Sequence, residues 1–114
     1  MSKIVIRGQF PIRSGKTEQG KTAVRALRER VLREDKGVTL YEFFIDEASK
    51  TMAITEAYID EPSLMSHIDA SDFTQLFETL DFAGGKIQIH GSPSDALRKK
   101  FHDIVGPVEI FLPI

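Results

Sequence analysis

Residues 53–73, AITEAYIDEPSLMSHIDASDF, hold a switch from one hydrophobic period to another. The first part continues an alternation that begins at Thr51. Met52, Ile54, Glu56 and Tyr58 fall on one side and Thr51, Ala53, Thr55 and Ala57 on the other, as a strand presents its side chains. Asp60-Glu61-Pro62 breaks that period, and proline suits the first turn of a helix, where a missing N–H costs nothing. Leu64, Met65 and Ile68 then supply one apolar side of a short helix that also carries His67. A carboxylate and an aromatic two apart on a strand, with a histidine on the next helix, are spaced to share a pocket. The rest of the chain reads as scaffold around it.

Upstream of this stretch, Val38–Asp46 (VTLYEFFID) is a second alternating run. The polar loop 47–50 joins it to Thr51–Ile59 in a hairpin pattern. Before the hairpin, Val24, Leu27 and Val31 recur at helical spacing. They predict a helix that opens near Ser14-Gly15-Lys16-Thr17-Glu18, with Ser14 or Thr17 as cap, and runs to about Asp35, where Gly37 stops it. Lys3–Phe10 (KIVIRGQF) alternates and ends at Pro11. Downstream, Phe73, Leu76, Phe77 and Leu80 predict a helix over 72–80, closed by Gly84-Gly85. Lys86–Gly91 (KIQIHG) predicts a strand, Ser92–Asp95 the start of a short helix, and VEIFLPI a final strand. Strand, helix, strand, strand, helix, strand, with a helix and a strand appended, predicts an α+β, ferredoxin-like antiparallel sheet with helices on one face. The uncovered face would carry Val5, Leu40, Phe44, Met52, Ile54 and Tyr58, or the equivalent alternating set. That is apolar enough to predict a homodimer.

One domain spanning residues 1–114 fits this length, and 41% hydrophobic with 28% charged residues is an ordinary globular composition. A net charge of −2 with dispersed Lys and Arg gives no electrostatic footprint for nucleic acid. No apolar run approaches the ~20 residues that span a bilayer, and the N-terminus lacks a signal-peptide pattern, so the expectation is a cytoplasmic protein with no membrane partner. The absence of cysteine rules out disulfides and thiolate chemistry.

Strict alternation collects Arg7, Gln9, Glu42, Glu56, Tyr58, Gln88 and His90 on one mixed face, the kind of sparse polarity a small-molecule site shows, though strand ends in solvent would look the same. His67 admits two readings, a proton-transfer group or a helix histidine bonded to a carbonyl. Phe43, Phe44, Phe73, Phe77 and Phe82 suit flat aromatic ligands or simply fill a core. FPIRSGKT (10–17) is not a phosphate loop, because Phe10 stands where that motif needs glycine. His67, His90 and His102 lack metal-ligand spacing.

In Gly37–Phe73 the chain resembles the antibiotic biosynthesis monooxygenase family, whose members form dimeric α/β barrels. Gly37 followed by Tyr41 resembles that family's entry into its strand pair. Glu56-Ala57-Tyr58, then Leu64, then His67, is similar to its Glu-x-aromatic…Leu-x-x-His pattern. In element order the resemblance covers nearly the whole chain. Two positions depart: Tyr58 stands where members often carry Trp, and Asp72 where many quinol-oxidising members carry a second histidine. The haem-degrading branch uses Asn, Trp and His together, and this chain has neither Asn nor Trp. The resemblance implies oxygenation without flavin, haem or metal, in which a quinol or polycyclic phenol loses a proton and gives an electron to dioxygen. It makes His67 the base, Arg7 the anion stabiliser and Glu56 an orienting hydrogen-bond partner. Tyr58, Phe44, Phe77, Leu64 and His90 become the substrate-binding wall. An isomerase or cyclase using His67 as a proton shuttle, and a non-catalytic small-molecule-binding dimer, are the alternatives on the same fold.

Overall fold

Five strands and four helices follow one another as β1 (Ile4–Pro11), α1 (Thr17–Glu34), β2 (Val38–Asp46), β3 (Thr51–Tyr58), α2 (Glu61–Ala70), α3 (Thr74–Thr79), β4 (Lys86–His90), α4 (Asp95–Val105) and β5 (Glu109–Phe111). This is a computed structural model describing residues 2–114. The strands form one sheet in the order β2-β3-β1-β4-β5. The first four pair antiparallel as the ferredoxin-like order requires, whereas β5 pairs parallel with β4. The sheet is therefore mixed rather than wholly antiparallel, because the crossover through α4 returns the chain in the direction it left.

All four helices cover the same face. Along β1 the residues Ile4, Ile6, Gly8 and Phe10 point into that layer, and the register pairs them with Tyr58, Glu56, Ile54 and Met52 of β3. This register corrects the mixed face. Glu56 sits opposite Ile6, so Glu56 and Tyr58 lie beneath the helices while Arg7, Gln9, Gln88 and His90 lie on the outer side. It also places Met52, Ile54 and Tyr58 in the core instead of on the uncovered face. That face carries Leu40, Phe44 and Phe111, 39%, 59% and 46% exposed, with Val5 and the small side chains Ala53 and Ala57. An irregularity between Val38 and Leu40 adds one residue to β2. Val38 can then pack inward while Tyr41, Phe43 and Ile45 keep the inner face beyond it.

The caps explain the helix boundaries. Asp60 accepts the amide of Ser63 at 2.9 Å and starts α2, and Ser94 accepts that of Leu97 at 3.1 Å and starts α4. Neither Ser14 nor Thr17 caps α1. The chain instead turns tightly through Gly15, at φ +73°, and enters the helix from Lys16 with no side-chain cap. Gly20, Ala23, Val24, Leu27 and Val31 form the buried stripe of α1. With α3 they cover one apolar cluster around Phe10, Tyr41 and Met52. Leu64, Ile68, Leu97 and Phe101 from α2 and α4 cover a second around Ile6, Tyr58 and Ile89. Among the described residues no helix is long and apolar enough to cross a membrane.

Candidate active site

Between those two clusters lies an apolar cavity. Phe10, Ile54 and Ile87 of the sheet form its floor, Phe73 and Phe77 one wall, and Phe101, Ile104 and Val105 of α4 another. The Phe10 ring packs down over Gly8, where any Cβ would come within 2.7 Å of it. Polarity is confined to one end, where Glu56, Tyr41 and His67 meet.

Each of these side chains arrives on a different element. Tyr41 of β2 is the register partner of Glu56 on β3, and Tyr58 lies two residues further along β3 on the same face. His67 descends from α2. Its Nε2 lies 3.4 Å from the Tyr41 hydroxyl and 3.7 Å from Glu56 Oε1, while the Tyr58 hydroxyl donates to that same Oε1. The other imidazole nitrogen, Nδ1, lies 2.8 Å from Asp35 Oδ2, on the residue that ends α1. Arg30 grips Asp35 from one turn back, at 2.9 Å to Oδ1 and 3.2 Å to Oδ2, and extends 2.7 Å to Ser71 Oγ. Ser71 in turn donates to the His67 carbonyl at 2.6 Å. Hydrogen bonds thus join Arg30, Asp35 and His67 on one side and Tyr58 and Glu56 on the other, with 3.7 Å between His67 Nε2 and Glu56 Oε1. Every fully enclosed side-chain polar atom among the described residues has a partner.

Burial sets the protonation states. It pushes the Glu56 carboxyl up to about 7, with the Tyr58 hydrogen bond opposing only in part. It holds the His67 imidazole below its ordinary value although Asp35 pulls the other way. Burial also acts on Asp35, but there hydrogen bonds from Arg30 and His67 prevail and keep the carboxyl below the ordinary range. Tyr41 and Tyr58 are raised, first by burial and then by the Glu56 charge, and stay protonated. At neutral pH the cluster holds an ionised Asp35 against Arg30 and a neutral imidazole. Because Asp35 takes the Nδ1–H, Nε2 is left as an acceptor at the polar end of the cavity, with the Tyr41 hydroxyl 3.4 Å away as its donor.

Of the residues singled out in the sequence, His67, Glu56, Leu64 and Phe77 line this cavity. Tyr58 is fully buried behind Glu56 as its hydrogen-bond donor. Arg7, Phe44 and His90 are on the outer sheet face, where His90 stacks on Phe111 with centroids 5.0 Å apart. The cation of the cluster is Arg30, and it stands behind Asp35, away from Nε2. Sequence reading missed Asp35 and Arg30 as site residues, since only the fold brings Asp35 to a histidine 32 positions away. Tyr41 was visible as a strand residue in the family-like entry into the strand pair, with no role in the site. The expected helix end at Asp35 was the one available signal, because a carboxylate there opposes the helix dipole and needs a cation such as Arg30 nearby.

No family model matches the sequence, and no curated protein is similar enough in sequence to count as a match. Solved structures do match. MupZ from Pseudomonas fluorescens superposes with a TM-score of 0.80 over 100% of this chain and 92% of its own, at 18% identity. A candidate antibiotic biosynthesis monooxygenase from Caulobacter crescentus gives 0.68 over 77% of this chain and 87% of its own, at 14% identity. Another from Nitrosomonas europaea gives 0.68 over 82% and 92%, at 17% identity. Identities this low speak to backbone architecture, and on that evidence the chain has the antibiotic biosynthesis monooxygenase fold.

Proposed function

We propose that the protein is a cofactor-independent monooxygenase acting on a small phenolic or quinol aromatic. The observation that carries the reading is the His67 imidazole, held neutral with Nε2 turned into an otherwise apolar, aromatic-walled cavity. A phenol entering hydroxyl-first would give its proton to Nε2, and the Tyr41 hydroxyl beside it would hydrogen-bond the phenolate. The phenolate passes one electron to dioxygen, and the resulting radical pair joins at a ring carbon. The peroxide then takes the proton back from the imidazolium. Loss of water leaves a quinone, so one phenol and one dioxygen become one quinone and one water. Apolar walls favour both the aromatic and dioxygen and exclude bulk water.

Purified protein should consume dioxygen saturably with quinols or naphthols, above the autoxidation blank. His67→Ala should lower that uptake about a hundredfold, within the usual range for a general base. Wild-type uptake at the blank rate across the panel would sink the reading.

The working form in this proposal is a homodimer, formed by pairing the outer sheet faces that carry Leu40, Phe44 and Phe111. Sedimentation should give twice the mass of the single chain, and Phe44→Glu should return it to monomer.

A further inference from the structure

We propose that the same site has a second, oxygen-independent activity, the enolisation of an uncharged ketone. In it, His67 Nε2 takes a proton from the carbon beside the carbonyl and the Glu56 carboxyl gives one to the carbonyl oxygen. This inference shares with the monooxygenase reading only the role of His67 as base.

The geometry supplies both partners. Asp35, fixed by two hydrogen bonds from Arg30, holds the Nδ1 proton and leaves Nε2 as an acceptor. Glu56 Oε1 is occupied by the Tyr58 hydroxyl, whereas no hydrogen bond among the described residues engages Oε2, and the residue lines the cavity. A protonated Glu56 would therefore carry its hydrogen on Oε2, and burial, by raising the carboxyl to about 7, keeps a protonated fraction at neutral pH. Nε2 and the nearer carboxyl oxygen are 3.7 Å apart. In a ketone the reacting carbon and the carbonyl oxygen are separated by about 2.4 Å, from standard C–C and C=O lengths. The acidic Oε2 belongs to the same carboxyl, about 2.2 Å from Oε1, so it lies no more than about 6 Å from Nε2, and an acid and a base within that span can straddle such a pair.

The step is balanced. The C–H bond breaks toward Nε2, the carbonyl π pair moves to oxygen, and that oxygen takes the Glu56 proton. Enol, imidazolium and carboxylate result, and no oxidant is consumed. Two neutral groups become an adjacent ion pair, which a low-dielectric site tolerates better than a lone charge. Proton return from His67 to Glu56 after enol release resets the site. Running backwards in heavy water, the step places a solvent deuteron on carbon.

The test is deuterium incorporation into β-tetralone under strict anaerobiosis, followed by proton NMR. Wild-type protein should accelerate exchange over the buffer blank. Glu56→Gln, which keeps the shape of the side chain, should lose about a hundredfold. Tyr58→Phe gives an independent readout. The groups facing Glu56 are Tyr41, Tyr58 and His67, with Asp35 and Arg30 behind, and only Tyr58 donates to the carboxyl. Removing that donor should move the alkaline limb of the exchange profile upward in pH. Wild-type exchange at the blank rate, or exchange unchanged in Glu56→Gln, would overturn the proposal. Dioxygen uptake without exchange would remove this activity and leave the monooxygenase reading standing, and exchange without uptake would do the reverse.

Discussion

Asp35→Ala is expected to lower the unfolding free energy by about 3–5 kcal/mol, the range for removing one partner of a buried charge pair. Asp35 is the junction of the site. Its side chain is 9% exposed and meets both the Arg30 guanidinium and the His67 Nδ1–H. Truncation leaves the imidazole N–H without its carboxylate and the guanidinium with Ser71 alone. The Arg30 side chain is 23% exposed and can recover some hydration, which places the expected loss toward the lower end of the range. Asp35→Asn keeps an oxygen acceptor for Nδ1–H while removing the charge, so it should cost clearly less. Urea unfolding of the three proteins at one neutral pH tests the order. An Asp35→Ala loss below about 1 kcal/mol, the scale of an exposed pair, would mean that the cluster is open to water in solution.

The same junction shows where sequence reading stops. Alternation in 51–58, the proline at 62 and the spacing of Leu64 and Ile68 are local signals, and each gave its element within a few residues. His67 and Glu56 could be singled out because their elements adjoin in the chain, so their approach depends on one short connection. The side of the sheet they share is another matter. It depends on how β1 slides against β3, and a shift of one residue would have put Arg7 in place of Ile6 opposite Glu56. Arg7 and His90 looked eligible for the site for that reason, and Phe44 because the inner face of β2 was unknown. The irregularity at the start of β2 has no turn residue to announce it, since Thr39 fits a regular strand equally well. The parallel pairing of β5 follows from the path of α4, which three strand residues cannot encode alone. Asp35 and Arg30 look like any solvated end of a charged helix until α2 descends on them.

Glu56→Gln is expected to stabilise the protein by about 3 kcal/mol above neutral pH and by almost nothing near pH 4. Burial raises the carboxyl to about 7 in the fold from an ordinary value of 4.5. Below the ordinary value both folded and unfolded chains hold the proton, and Glu56 adds no pH dependence. Between the two values the unfolded chain ionises while the folded one stays protonated. Stability therefore falls with rising pH by about 1.4 kcal/mol per unit. Above about 7 both forms are ionised and the full penalty persists. His67 works in the opposite sense, because burial lowers its value: its contribution is lost as pH falls below the ordinary imidazole range. The two trends oppose each other in the wild-type profile, so the informative quantity is the difference between wild type and Glu56→Gln. It should climb across pH 4.5 to 7 and then level off, with the Tyr58 hydroxyl retained as donor to the amide oxygen. A difference curve that is flat from pH 4 to 8 would mean that Glu56 ionises in the fold as it does in water. The carboxyl would then reach neutral pH without a proton to give, and the enolisation step would lose its acid.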